Sequence, residues 1–459
     1  MGKLDRLYAS APVWVQNAMV SGYGAYWHWA RFGGGYKQHE RGYRQREWFG
    51  REEWDAYQAQ QIKKLLAVCV SHVPYYKQKW NEHEKSCAER GELRELPLLE
   101  KEALRINVDV FHREDLHPWP KQVFHTSGTT GTPIATRFTL SELRNSMALR
   151  EVRSAKWAGV SFKQARATFS GRLVEPNPSS DTSVYRYNTA EKQVYFSAFH
   201  LKPETARLYV EALRIHKVVW MTGYAVSFYL LAKFILEQEI DVPRLKAVIT
   251  TSEKLSPEMR GVMEEAYHCK IYEEYSTVEN ALFASECEQG NLHVSPDAGV
   301  VEILRPNGSA CKPGEVGEVV TTCLLRDYQP LIRFRLGDLA AWDAEPCGCG
   351  RAMPVIKEVV GRIEDVVVGP DGRQMVRFHG IFVKQPHVVE GQVIQESLHE
   401  ITVKVLPTED FGEEDRIDIT QRIKQRLGSD VTVRVELVKE IPRTKSGKFQ
   451  AVISHLERH

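Results

Sequence analysis

The chain has 459 residues, more than one average domain, which predicts a globular protein of at least two units. Its 61 basic and 60 acidic residues give a net charge of +1, and 42% of its residues are apolar. This balance lacks the strongly basic surface of proteins that bind nucleic acid, so nucleic acid is not expected as a partner. The first residues lack a secretory signal pattern, so we expect a cytoplasmic location.

Residues 1–115 show a helical pattern, and "WDAYQAQQIKKLLAVCVSHV" is their clearest amphipathic segment. From Leu7 to Ala30 the chain carries no Asp, Glu, Lys or Arg, but Pro12, Asn17 and other polar positions make it a poor membrane span. We therefore expect no transmembrane segment. Its aromatic residues leave two interpretations open, burial on the protein's own body or peripheral contact with a membrane surface.

The stretch "HTSGTTGTPIATRFT", residues 125–139, predicts a loop between a strand-like segment and a helix. Glycine allows a ligand to approach the backbone closely, and Ser and Thr add hydroxyls to the N–H groups, so the loop suits phosphate oxygens. An ordinary Ser/Thr-rich loop before a helix fits equally well, because Thr139 and Glu142 have capping-box spacing. Thr132 and Pro133 exclude the P-loop motif, which needs a lysine and a hydroxyl there. Binding of a triphosphate would therefore need a positive charge from elsewhere.

The middle of the chain, residues 165–276, alternates strand and helix patterns from "ARATFSG" to "KIYEEYS". This alternation predicts a mainly parallel sheet with crossover helices, whose ligands bind at the carboxyl ends of the strands. Residues 290–345 are strand-rich, with a hairpin candidate in "GVVEILRPNGSACKPGEVGEVVTT", and a small α+β unit follows "GRIED". The expected fold class is α/β, with a large N-terminal domain that includes a strand-rich subdomain and a small C-terminal domain.

Polar residues follow two neighbouring predicted strands, in "TTSE" and "YSTVEN". The residues concerned are Ser252, Glu253, Tyr275, Ser276 and Glu279. We expect them to converge at one edge of the sheet, where the carboxyl ends of the strands lie. The ring of Tyr275 can stack on a base, and the carboxylate of Glu279 suits Mg²⁺, which favours carboxylates together with substrate phosphates. Exposed loop positions without a special role are the alternative.

Two further segments carry candidate residues near the ends of predicted elements. "RFRLGDL" puts Asp338 just after a strand, as an acidic partner for ribose hydroxyls. In "IPRTKSGKFQ", Lys448 lies in a glycine-containing turn flanked by Arg443 and Lys445. This turn is either a solvated basic tail or the source of the missing cation for reaction at phosphorus.

Eight cysteines in a chain without a signal peptide favour free thiols over a disulfide framework. The pairs Cys287-x5-His293 and Cys347-x-Cys349 together offer three thiolates and one imidazole. This set matches a closed, structural zinc site that leaves no position for substrate. Separate thiols and a surface histidine are the alternative interpretation.

Five motifs occur in the order and approximate spacing of the adenylate-forming superfamily, which the chain resembles over nearly its whole length: "TSGTTGTP", "YSTVE", "RFRLGDL", "GRIED" and "PRTKSGK". "HVPYYKQKW", "ECEQGNLHV", "CGCGR" and "GQVIQE" are similar to the branch of phenylacetate–CoA ligases and CapK. The resemblance implies an N-terminal domain at 1–361, a hinge at 362–365 and a mobile C-terminal domain at 366–459.

The resemblance also implies a reaction. ATP would activate a small carboxylic acid to an acyl-adenylate with release of pyrophosphate, and the acyl group would pass to an acceptor, most simply coenzyme A. A ligase that forms an amide or ester without CoA is one alternative, and a nucleotide-binding relative without turnover is another. Thr132 and Val278 motivate the second alternative, since they replace a lysine and a hydroxyl residue found in relatives, and Ser276 replaces a glycine.

By the same resemblance, the ATP phosphates would be held by Ser127, Gly128, Thr129, Thr130 and Gly131. Tyr275 would flank adenine, Glu279 would serve Mg²⁺ and the α-phosphate, and Asp338 would bind the ribose. Arg362 would contact the nucleotide near the hinge, and Lys448 would stabilise the transition state of adenylation. The pocket for the acid would be lined, by analogy, by Phe199, His200, Gly223 and Tyr224.

Overall fold

The computed structural model describes residues 3–120, 122–125, 134–170, 174–175, 183–362, 367–370, 374–375, 381–382, 385–443 and 449–456. The N-terminal part is helical, as its periodicity predicts. Its helices are α1 (Lys3–Ser10), α2 (Val13–Phe32), α3 (Tyr36–Arg46), α4 (Arg51–His72), α5 (Pro74–Lys79), α6 (Glu82–Arg90) and α7 (Lys101–Ile106).

The segment around the hydroxyl-rich stretch is a hairpin followed by a helix. Its elements are β1 (Gln122–His125), β2 (Ala135–Phe138) and α8 (Leu140–Arg150). The expected capping box of α8 is confirmed, because Thr139 Oγ1 accepts a hydrogen bond from the Glu142 N–H at 3.1 Å and Glu142 Oε2 accepts one from the Thr139 N–H at 2.7 Å. The prediction of a direct passage from loop to helix was wrong, since β2 intervenes and pairs antiparallel with β1.

One twelve-stranded sheet forms the body of the protein. Its strands are β3 (Arg166–Ser170), β4 (Tyr185–Asn188), β5 (Gln193–Ser197), β6 (Trp220–Tyr224), β7 (Ala247–Thr251), β8 (Lys270–Ser276), β9 (Phe283–Glu286), β10 (Leu292–Val294), β11 (Gly299–Leu304), β12 (Gly317–Cys323), β13 (Phe334–Trp342) and β14 (Val355–Arg362). Their order across the sheet is β11-β12-β13-β14-β10-β9-β8-β7-β6-β3-β5-β4.

The sheet is mixed, and its parallel part lies where strands and helices alternate in the sequence. Strands β5, β3, β6, β7 and β8 are mutually parallel, and the connecting helices are α9 (Ala206–Ile215), α10 (Ala225–Glu237) and α11 (Pro257–Tyr267). Every residue of β5 and β6 is buried, as expected for strands covered by helices. The α/β fold class is confirmed, and the strand-rich segment continues the same sheet as antiparallel strands from β9 onward.

The C-terminal residues form a separate small sheet. Its elements are β15 (Val367–Val368), β16 (Gln374–Met375), β17 (Val388–Gln395), β18 (Glu400–Pro407), α12 (Glu413–Leu427), β19 (Thr432–Leu437) and β20 (Val452–Ser454), with the sheet order β19-β18-β17-β20 and a separate β15-β16 pair. Helix α12 buries Ile419, Ile423 and Leu427, which recur every four residues, in a core of their own. Among the described residues, no helix combines the length and apolarity that crossing a bilayer requires.

Candidate active site

The polar residues predicted to converge do lie at one edge of the parallel sheet. Strands β7 and β8 pair in parallel with Thr251 opposite Glu274, so Ser252 and Glu253 emerge beside Tyr275 and Ser276. Ser252 has φ +70°, a left-handed conformation that non-glycine residues rarely adopt. Strained backbone of this kind is common where a loop is shaped around a ligand.

The hydroxyl of Tyr275 donates a hydrogen bond to Asp338 Oδ2 at 2.7 Å. Three strands separate β8 from β13 in the sheet order, and in a flat sheet that spacing would hold them about 19 Å apart. The contact therefore requires the sheet to bend sharply between β8 and β13. Register shifts along the pair β13 and β14 are consistent with such a bend.

Asp338 itself lies within β13 and is buried, opposite Arg362 of β14. The expectation that it follows a strand was wrong, because the strand pattern continues through "GDLAAW" to Trp342. The neighbouring Arg335 forms an ion pair with Glu100 at 2.9 Å, and a second one with Glu318. Asp338 is thus held in a rigid strand.

Glu279 lies in the short connection after β8 and is buried. Its backbone carbonyl accepts a hydrogen bond from the Arg326 guanidinium at 2.6 Å, and the same guanidinium donates to the Arg137 carbonyl of β2 at 2.9 Å. Within the part of the chain that the structure describes, no hydrogen bond or ion pair involves the Glu279 carboxylate. Its oxygens are therefore available to a ligand or cation.

Glu253 connects the strand ends to the C-terminal segment. Its Oε2 accepts a hydrogen bond from the Val226 N–H at 2.9 Å, at the start of α10, and its Oε1 accepts one from the Phe449 N–H at 3.0 Å. Phe449 directly follows Lys448 in the sequence. The C-terminal chain thus reaches the edge that carries Tyr275 and Glu279.

The four residues expected to line the acid pocket lie at the carboxyl ends of β5 and β6. His200 is buried, and its Nδ1 is 2.7 Å from the hydroxyl of Ser197, whereas Phe199 is half exposed. Gly223 has φ +145°, and a Cβ there would lie 2.1 Å from the Phe169 carbonyl oxygen, so no side chain fits. Tyr224 is buried directly beside it.

Several predicted residues lie outside the described residues, namely Ser127, Gly128, Thr129, Thr130, Gly131, Lys448 and hinge positions 363–365. The assignments of these positions stay predictions. Arg362 ends β14, and its proposed contact with a nucleotide also stays a prediction.

The predicted metal ligands converge in a second site. The ligand atoms of Cys287, His293, Cys347 and Cys349 all lie within 4.8 Å of one another. The sulfurs of Cys287 and Cys347 are 3.7 Å apart, and Cys349 Sγ is 3.4 Å from His293 Nε2. Two sulfurs bound at about 2.3 Å to one tetrahedral zinc ion would be about 3.8 Å apart. The cluster therefore has the dimensions of a zinc site and is too wide for a disulfide.

The surroundings of the cluster orient its ligands. His293 Nδ1 is 3.1 Å from the Met353 carbonyl, which fits an Nδ1–H donor and leaves Nε2 free to bind a metal. Asn291 donates to the sulfur of Cys347 at 3.2 Å. Burial lowers the pKa of His293, which favours the neutral ligand form. Burial opposes ionisation of Cys347, but hydrogen bonds, the first of them from the Cys349 N–H, lower its pKa on balance.

The Cys/His cluster lies near the amino-terminal end of β8, whereas the candidate active site lies at the carboxyl end of that strand. Strand β9 runs antiparallel to β8, so Cys287, just after β9, lies beside the beginning of β8. Tyr275 and Ser276 lie at the other end of β8. A metal ion in the cluster would therefore cross-link the β9–β10 turn to the β13–β14 connection and take no part in chemistry at the strand ends.

Two positioning residues were not anticipated from the sequence. The fully buried Arg326 links β2 to Glu279, as described above. Lys254 forms an ion pair with Glu358 at 3.1 Å and donates to the Val360 carbonyl at 3.4 Å, in the strand that leads to the predicted hinge. The partners lie 47 and 104 residues away in the chain, and no sequence signal indicates such pairings.

The chain is similar to proteins of known name over most of its length. A family model described as the CapK C-terminal domain matches residues 368–455. Protein CapK of Staphylococcus aureus is 24% identical over 376 residues, which is 80% of this chain and 81% of that protein. Phenylacetate-coenzyme A ligase of Thermus thermophilus is 23% identical over 460 residues, 88% of this chain and 97% of that protein. The chain is thus similar to CapK and to a phenylacetate-coenzyme A ligase over most of its length.

The fold of this chain matches that of a solved CoA ligase. The crystal structure of 2-hydroxyisobutyryl-CoA ligase in the postadenylation state superposes with a TM-score of 0.69 at 23% identity, covering 89% of this chain and 91% of that one. The matched 89% of this chain is longer than residues 1–361, so the likeness includes part of the C-terminal unit as well as the large sheet.

Proposed function

We propose that this protein is a member of the adenylate-forming superfamily and an ATP-dependent carboxylate–CoA ligase. The observation that carries the proposal is the hydrogen bond from the Phe449 N–H to Glu253, beside Tyr275 and Glu279. It brings Phe449, the residue that directly follows the "PRTKSGK" motif in the sequence, to the strand ends where α/β proteins bind ligands. The names of the relatives, two of which are CoA ligases, support this reaction class.

The chemistry consists of two displacements. A carboxylate oxygen attacks the α-phosphorus of ATP and pyrophosphate leaves; the thiolate of CoA then attacks the acyl carbon and AMP leaves. In the first step, Asp338 would accept hydrogen bonds from the ribose hydroxyls, and Tyr275, whose hydroxyl bonds to Asp338, would present its ring to adenine. Lys448 would neutralise the charge that develops on the phosphoryl oxygens.

Glu279 has the properties expected of a residue that holds Mg²⁺ with ATP. Its carboxylate is buried at the site edge, and within the described residues it has no hydrogen-bonding or ionic partner. Mg²⁺ keeps several waters and takes one or two carboxylates with substrate phosphates, so one such carboxylate suffices. The ion would supply charge neutralisation at the phosphates.

The test of the function is pyrophosphate release from ATP over a panel of small carboxylic acids, with and without CoA. We expect at least one acid to give pyrophosphate and, when CoA is present, a thioester with AMP. An acyl-adenylate that reacts with amines but never with CoA would favour the amide-forming alternative. Nucleotide binding without pyrophosphate release from any acid would contradict the proposal.

We also propose that the C-terminal domain rotates between the two steps about the hinge at 362–365. Proline restricts φ to near −65° and constrains the residue before it, so Glu364→Pro should trap one arrangement. We expect one half-reaction at nearly the wild-type rate and the other lowered at least about tenfold, measured separately with supplied acyl-adenylate and with ATP plus acid. Glu364→Ala, which keeps the backbone free, is the matched control. Normal rates for both steps in folded Glu364→Pro would disprove the pivot.

We propose that the Cys287, His293, Cys347 and Cys349 cluster binds structural Zn²⁺. The spacing of its sulfurs, the neutral His293 and the hydrogen bonds to Cys347 support this assignment. With three thiolates and one imidazole, the metal would have no open coordination position, so its contribution would be to stability.

Exchange of one ligand should release the metal. For Cys349→Ser we expect zinc content to fall from about one ion per chain to a small fraction, and Tm to fall by at least roughly 5 °C, because binding free energy adds to folding. Metal analysis and calorimetry provide the measurements. Cys269→Ser, a cysteine outside the cluster, should change neither quantity. Wild-type protein that is stable, active and free of metal would refute the assignment.

A further inference from the structure

One face of α2 exposes aromatic side chains along its length. The side chains of Trp14, Ala18, Ala25 and Trp29 project on the same side, since they recur at helical spacing, and all four are exposed. Trp14 is 73% exposed and Trp29 50%. The opposite face packs on the protein and consists of Gln16, Gly24, Trp27 and Ala30. Thus α2 is anchored on one side and presents large rings to the exterior on the other.

The β1 hairpin packs against α2. Gln122 of β1 donates to the Tyr26 hydroxyl at 2.5 Å, and the ring of Phe124 lies 5.8 Å from that of Trp27. The hairpin is therefore fixed against α2. Trp119, which precedes β1, is 91% exposed, and Val123 of β1 is 46% exposed. We use the term aromatic face for the exposed rings of Trp14 and Trp29 on α2 together with that of Trp119 on the neighbouring segment.

The N-terminal region that contains α2 has a net positive charge. Residues 1–46 carry seven Lys or Arg against two Asp or Glu, a net charge of +5 in a chain whose total is +1. Arg31 pairs with Glu191 and Arg46 with Asp297, and these two carboxylates from elsewhere in the chain lower the local balance to +3. No Asp or Glu occurs between Leu7 and Gln38. The guanidinium of Arg144 lies over the ring of Trp29, 5.4 Å from its centroid, which adds a cation at the end of the face. A basic segment of this kind is attracted to anionic lipid headgroups.

We propose that the aromatic face docks this protein on the surface of an anionic lipid bilayer. Trp and Tyr rings prefer the interface between headgroups and acyl chains, since one end of each ring system is apolar and the other is polar. A helix that lies in the interface plane needs an apolar face, which α2 presents, and cations nearby, of which Arg144 at the Trp29 ring is one. A cluster of exposed rings without a partner is otherwise unfavourable in water. This assignment does not depend on the proposed reaction.

Flotation with lipid vesicles tests the proposal on the full-length protein. We expect binding to vesicles of phosphatidylcholine mixed with phosphatidylglycerol, weak binding to phosphatidylcholine alone, and loss of binding at high salt because salt screens the charges. The triple exchange Trp14→Ala, Trp29→Ala and Trp119→Ala should lower the partition coefficient at least about tenfold.

A matched control separates the aromatic face from exposed tryptophan in general. Trp48 is 61% exposed but stacks on Arg351 beside the metal cluster, so Trp48→Ala should bind vesicles as the wild type does. Circular dichroism and pyrophosphate release confirm that the triple variant is folded. No binding of the wild type to anionic vesicles, or equal binding of the triple variant, would overturn the proposal. A third outcome would also overturn it: the wild type is a dimer that binds no vesicles, and the triple exchange dissociates this dimer. The aromatic face would then join two copies of the chain.

Discussion

Lys448→Ala is expected to slow acyl-adenylate formation by roughly 100- to 1000-fold. The removal of one oriented donor to a developing charge costs about 2.7–4 kcal/mol of transition-state stabilisation. The hydrogen bond from Phe449 to Glu253 fits delivery of this segment to the strand ends, where the α-phosphate would be bound. Pyrophosphate release in the presence of the acid and ATP measures the first step.

The second step distinguishes a role in adenylation from a general loss of structure. When acyl-adenylate is supplied, the thiol half-reaction of Lys448→Ala should remain within about threefold of the wild type, since the ammonium is not needed there. Lys439→Ala, an exposed lysine of the same domain, should leave both half-reactions unchanged. Equal losses in the two half-reactions of Lys448→Ala would contradict its assigned role.

Glu279→Gln is expected to lower the adenylation rate about 100-fold and to shift its Mg²⁺ dependence to higher concentration. The amide keeps the size of the side chain but removes the negative charge that would hold the ion, and about 2.7 kcal/mol corresponds to this factor. The measurement is a titration of pyrophosphate release with Mg²⁺ at saturating ATP and acid. Added Mg²⁺ should restore part of the rate, because mass action compensates for weaker binding.

The effect should be specific to this carboxylate. Glu265→Gln removes a charge from an exposed position on α11 and should leave the Mg²⁺ dependence unchanged. An unaltered Mg²⁺ midpoint in folded Glu279→Gln would show that the carboxylate does not hold the ion. A lower melting temperature with normal kinetics would instead assign Glu279 a structural role, together with Arg326.

Local patterns predicted most elements of the fold. The alternation from "ARATFSG" to "KIYEEYS" corresponds to β3 and β6 to β8 with their helices, because buried parallel strands and amphipathic helices have distinct periods. The pattern missed β2, β4 and β5, which are only four or five residues long. Strands of this length were predicted only within the strand–helix alternation, whereas β2 pairs antiparallel with β1 and β4 with β5, so within the described residues no amphipathic helix separates these partners and marks them in the sequence.

Residue types and spacing were likewise sufficient to predict the Cys/His cluster, because three Cys and one His together suit few other roles. They were also sufficient to predict the strand-end residues, because polar residues at the carboxyl ends of parallel strands are exposed to ligands. Only the folded chain shows that Tyr275 contacts Asp338, that Arg326 supports Glu279 and that Glu253 accepts a hydrogen bond from Phe449. These contacts join residues 47 to 196 positions apart. They depend on the order of the strands and the bend of the sheet, which follow from packing of the whole domain and have no counterpart in local periodicity.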